Sequence, residues 1–231
     1  MSNRKWLWIL WVVYVGSLLF APSGMPFGGE PVWQIQPETI EEVKAESLNF
    51  FFVLPLLNQL GVETMIAPAL NPVDEALFNF AVAWIFMFLP VMWGDRRGEH
   101  LPRTILWSCG MFLTNVFLIP YMALRKDISP EPFIPQQKLI ARGFASVALI
   151  VGIVSLGWFG LARPEFGDIG DRLAYFLKQM GESRLSIAFI ADLICFWLFQ
   201  IFLLGDLNPK DSIWQSARFI PFFGMGFWLI L

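Results

Sequence analysis

Residues 73 to 93 read VDEALFNFAVAWIFMFLPVMW, an apolar run whose only polar side chains, Asp74, Glu75 and Asn79, lie near its start. About 20 mainly apolar residues cross the hydrocarbon of a bilayer as a helix. Asn71 suits the N-cap and Pro72 the first turn, and Asp95-Arg96-Arg97 ends the run. A continuous apolar helix of this length belongs in a membrane, and the composition around it agrees. Of 231 residues, 56% are hydrophobic and only 15% charged, with a mean hydropathy of +0.58. Soluble domains carry about 25% charged residues.

Further apolar runs follow the same reading. Residues 104–124, 143–161, 185–204 and 213–231 each read as spans, the last kinked at Pro221. At the N-terminus, Arg4 and Lys5 precede a run from Trp6 to Ala21 that reads as an uncleaved signal anchor. SLNFFFVLPLLNQLG, 47–61, is short and contains Pro55, so it is expected to be re-entrant or interfacial. Two surface helices are expected at 37–46 and 168–181. The second is amphipathic, with Asp171, Arg172 and Lys178 on its polar side. In the fourth run, Ala145, Ala148, Gly152 and Ser155 form a small-residue seam for close helix packing. The expected fold is an all-α integral membrane helical bundle, a single domain over 1–231. It has about six transmembrane helices plus a re-entrant or interfacial segment. Lys and Arg counts favour an inside N-terminus by a small margin.

Several functions are disfavoured. A net charge of −3 with no basic tract gives no footprint for nucleic acid. Cys109 and Cys195 lie singly in apolar runs, without the spacing of a redox or zinc motif. His100 is the only histidine, too few for bis-histidine haem or a histidine-rich di-iron site. No metal site is expected, and no cofactor can be named.

Polar side chains inside spans are the functional candidates. Asp192 and Gln200 share a face of the fifth expected span, and Glu75 and Asn79 a face of the second. Asn115 follows Ser108 along the third, with Thr114 beside it, and Asn49 lies in the segment 47–61. If these stripes converge, Asp192 or Glu75 could serve as a general acid/base, while Asn79, Asn115, Gln200 and Asn49 hold a ligand. If they do not, they are hydrogen bonds that hold helices together. Trp6, Trp93, Trp107, Trp158 and Trp228, near span ends, read as interfacial anchors. Asp95, Arg96, Arg97 and Arg103 read as a solvated loop.

SLNFFFVLPLL (47–57), FNFAVAWIFMF (78–88), FLTNVFLIPYMALR (112–125), ADLICFWLFQ (191–200) and ARFIPFFG (217–224) together resemble a family of multispanning membrane proteins from cyanobacteria and chloroplasts. The resemblance covers most of the chain from Ser47 onward. It implies a photosynthetic membrane as a home and transfers no catalytic residue. The localisation expected is a bacterial inner membrane or a thylakoid. Partners are expected to be membrane lipids, with a pigment or a membrane protein complex beside them. Three functions follow: a non-catalytic component that assists assembly or holds pigment or lipid, a cofactor-free enzyme acting on an isoprenoid or other lipid, and a small-solute transporter or channel.

Overall fold

The computed structural model describes residues 2–23, 29–129 and 135–231, and among these all regular structure is helical. Three helices have the length and apolar composition to cross a membrane: α4 (Pro72–Gly94), α7 (Pro135–Leu161) and α9 (Arg184–Leu207). The chain divides into two compact units. One comprises Met1–Val15, Ala83–Ile150 and Asp192–Leu231, the other Gly16–Val82 and Val151–Ala191.

In the first unit, α1 (Ser2–Val15) packs on α6 (Asn115–Leu124), fixed where the Trp11 indole N–H donates to the Val116 carbonyl at 2.9 Å. Trp84 of α4 meets Phe196 of α9 and Phe222 edge-on, with Phe88 beside them, and all four rings are buried. The seam residues Ala145 and Ala148 of α7 are wholly buried.

The expectation of one span over 104–124 is corrected here. The segment is two short helices, α5 (Arg103–Leu113) and α6, separated at Thr114, whose φ of 33° and ψ of −109° lie outside helical space. The helices lie against each other. Arg103 opens the hairpin and donates to the Trp93 carbonyl at 2.7 Å and the Met92 carbonyl at 3.0 Å. Arg125 closes it and donates to Asp95, while the Lys126 N–H donates to the Arg97 carbonyl at 2.8 Å. The chain therefore returns to the turn it left. At 1.5 Å per residue, each arm is only about 15 Å long.

The run 213–231 turns back as well. α10 (Trp214–Ala217) leads to a break that ends at Phe222, with φ 60°, and α11 (Phe223–Ile230) returns. Gln200 Nε2 donates to the carbonyls of Arg218 and Ile220 at the bend, and the Trp228 indole reaches Asn208 at 2.9 Å on the way back. Gly224 sits where any Cβ would collide with the Ala217 carbonyl, so the turn needs glycine there. Two of the six expected spans are thus helical hairpins, and among the described residues three helices have crossing length.

In the second unit, α2 (Pro37–Leu48) and α3 (Val53–Gln59) flank Phe51 and Phe52, both left-handed at φ 53° and 55°. Residues 47–61 are therefore not one helix. α8 (Ile169–Glu182) forms where expected, with a capping box between Asp168 and Asp171. Arg172, read as water-facing, is buried. Its guanidinium donates to the carbonyls of Trp158, Phe159, Ala162 and Arg163. These include carbonyls that the last turn of α7 leaves without partners, and a cation favours that helix end.

Candidate functional site

Glu75 and Asp192, the two candidate acids, each centre a carboxylate network inside one unit. In the second unit, α4 ends its first turn on Glu75, with Asn79 one turn further. Glu75 is fully buried, and both its oxygens are occupied. Oε1 accepts from Asn49 Nδ2 at 2.6 Å and Arg163 Nη2 at 2.8 Å. Oε2 accepts from Arg163 Nε at 2.7 Å and the Trp158 indole at 2.8 Å. The fork of Arg163 is a bidentate pair, the strongest form of this contact, and its bond to Glu75 raises the Arg163 pKa. Arg163 also donates to the Pro68 carbonyl at 3.0 Å, as does Asn49 at 2.9 Å. Asn79 Nδ2 donates to the Asn49 and Glu75 carbonyls. A carboxylate offers about four lone-pair sites, and all four on Glu75 are taken.

In the first unit, Asp192 of α9 faces the tip of the α5–α6 hairpin. Its Oδ1 accepts from Tyr14 Oη at 2.6 Å, Thr114 Oγ1 at 2.8 Å and Asn115 Nδ2 at 2.7 Å. The Asn115 backbone N–H also donates to this carboxyl, at the N-terminus of α6, where the helix dipole favours an acid. Ser108, on the same expected stripe, is exposed and takes no part.

Of the expected site residues, Glu75, Asn79 and Asn49 meet in one network, Asp192 and Asn115 in the other, and Gln200 in neither. Gln200 ties α9 to the α10–α11 bend. The amide oxygens of Asn49, Asn79, Asn115 and Gln200 are buried without a donor among the described residues. These are the acceptors that a hydroxyl or amine could still meet.

Sequence reasoning missed Tyr14, Arg163 and Trp158 as partners. It also misread Asp95, which is buried, not solvated. Asp95 accepts from Tyr121 Oη and Arg125 Nε, both at 2.6 Å. Asp206 adds Arg97 at 2.5 Å and Arg125 at 3.1 Å, so four charged side chains close one end of this unit. Of the five tryptophans read as anchors, Trp6 stays exposed, and the other four spend their indole N–H groups internally, Trp228 on Asn208. Trp93 donates to Thr104, Trp107 to the Ile85 carbonyl and Trp158 to Glu75.

No family model, curated protein or solved structure matches this chain. Among the described residues, no three His, Cys, Asp or Glu side chains gather as a metal-binding group.

Proposed function

We infer that this chain is a non-catalytic membrane component that assists the assembly of a larger membrane complex or holds lipid or pigment within one. One observation carries the reading. Glu75, a candidate acid/base, spends both its carboxylate oxygens on four donors of the protein itself. Asp192 spends Oδ1 on three more. A general base must keep a lone pair within reach of a substrate proton; Glu75 has none left, and Asp192 is committed through Oδ1 to holding the hairpin tip. The outward faces of α7 and α9 support the same reading. Ile150, Ile153, Leu156, Ile194, Leu198 and Phe202 are exposed, and lipid or neighbouring helices suit such surfaces. In this reading the two hairpins are re-entrant, with broken backbone at membrane depth satisfied by protein. The phrase resemblance points to a photosynthetic membrane as the setting.

The test is complementation of a deletion strain. Asp192→Asn and Glu75→Gln should restore the phenotype wherever the variant protein accumulates normally. Loss of the gene should deplete a membrane complex on native gels. A variant that accumulates fully yet restores nothing would return the chain to the enzymes acting on isoprenoids or lipids.

A transporter reading draws on one observation, the N-terminus of a broken helix at a buried polar site; in some secondary transporters such N-termini face an anionic substrate, where here Asp192 of the chain itself stands. Solute uptake into proteoliposomes that is abolished by Asp192→Asn would favour it over assembly.

A further inference from the structure

One feature of the first unit has no part in either carboxylate network. A cavity of about 830 Å³ opens between the start of α1, the end of α6 and the end of α9. Its rim is cationic. Arg4, Arg97, Arg125 and Lys126 line it, against Asp127 and Asp206. Arg97 and Arg125 are held by Asp206 and Asp95. Among the described residues, Arg4 and Lys126 are not paired with acids. The Arg4 guanidinium donates to the Arg125 carbonyl at 2.6 Å, and the Lys126 ammonium takes no partner among the described residues. Below the rim the wall is apolar, made by Leu7 and Leu10 of α1, Met122 of α6 and Phe202 of α9. Arg4, Leu7 and Leu10 follow one another at helical spacing, so a single face of α1 runs from charge to hydrocarbon.

A cavity with surplus positive charge at its mouth and aliphatic and aromatic side chains below matches an amphiphile of opposite sign. We propose that it binds one anionic phospholipid, its phosphate between Arg4 and Lys126 and an acyl chain along Leu7, Leu10 and Phe202. Basic pockets beside helix ends bind such headgroups by charge, and each cation near the surface adds about fivefold to the affinity. The apolar wall is what separates a lipid from a free phosphate, which would use the rim alone. The site is independent of the assembly role and stands whether or not that role does.

The experiment is native mass spectrometry of the full chain, delipidated in mild detergent and given equal amounts of dioleoyl phosphatidylglycerol and dioleoyl phosphatidylcholine. One phosphatidylglycerol should be retained about 25-fold over phosphatidylcholine, fivefold for each of the two cations. Lys126→Gln removes an exposed, unpaired charge without touching the fold and should weaken that retention about fivefold. Arg4→Gln combined with it should bring retention to the phosphatidylcholine level. Leu10→Trp should expel the lipid by filling its channel. Glycerol 1-phosphate at millimolar concentration should leave the lipid in place. Equal retention of the two lipids, or undiminished retention by Lys126→Gln, would overturn the proposal. Complete displacement by glycerol 1-phosphate would overturn it too, in favour of a free-phosphate site.

Discussion

Arg103 and Arg125 stand at opposite ends of the α5–α6 segment and both bond at the C-terminal end of α4. Arg103 does so through the Trp93 carbonyl at 2.7 Å, and Arg125 through the Asp95 carboxylate at 2.6 Å. A helix that crossed a bilayer would part these two side chains by about 30 Å.

The first prediction follows from that pair. On a background with Cys109 and Cys195 replaced by alanine, Glu99→Cys and Asp127→Cys should react with a membrane-impermeant maleimide from the same side of sealed vesicles. Reaction from opposite sides would show that 104–124 crosses and that the hairpin is wrong.

The hairpin tip depends on Asp192. Tyr14→Phe removes one of its donors and should cost about 1 kcal/mol. Asp192→Ala should cost more than Tyr14→Phe or Thr114→Val, because it strands three buried donors at once. Thermal unfolding in detergent gives the ranking, and hydrogen exchange should show the loss concentrated around Thr114. Equal costs for all three changes would remove Asp192 as the organiser of the tip.

In the second unit, Arg163→Met leaves Glu75 buried and uncompensated, a change of about 3–5 kcal/mol. Adding Glu75→Gln should recover much of the loss, because the stranded charge goes with it. A double-mutant cycle followed by thermal unfolding reads the coupling, and strictly additive losses would show that the pair is not coupled.

Glu46 of α2 sets a pH dependence. Its side chain is buried, with one oxygen that takes no donor among the described residues. Burial, and then the charges of Asp74, Glu42 and Glu75, push its pKa up from 4.5 to about 9. Across that window the folded state holds a proton that the unfolded chain releases. The stability it contributes is therefore complete below about 4.5 and is lost as pH rises towards 9. Glu46→Gln should be more stable than the parent at pH 8 and flatten the decline. A parent whose stability rises between pH 5 and 8, with Glu46→Gln following it, would contradict this assignment.

The long helices were legible because each is one apolar run of full crossing length, and α8 because its polar and apolar sides alternate at helical period. Hydropathy could not find the hairpins. It averages over a window, and two arms of ten or so apolar residues sum to the same score as one span. Thr114 adopts φ 33° with no glycine at the bend to announce it. The spacing of Glu75 and Asn79 did foretell one network, and Asp192 was legible as an acid too costly to leave unpartnered in lipid. Its partners Tyr14 and Thr114 lie 178 and 78 residues away, and no local pattern links positions so distant. Arg172 looked solvated because a charged residue on a polar stripe ordinarily is. Only the end of α7, bringing bare carbonyls to it, reverses that.

The distance in sequence between the tip and its acid also imposes an order on biogenesis. Thr114 leaves the ribosome 78 residues before Asp192, so the nascent chain carries the bend with only α1 to bond it, through Tyr14 at Thr114 and Trp11 at Val116. Neither arm is long enough to be stitched into the bilayer as a stop-transfer segment. The bonds to Asp192 that complete the tip form only once α9 has been translated. A chain stalled or truncated before Asp192 therefore lacks the latch that seats its own middle third, and quality-control proteases would meet it as an unfinished protein.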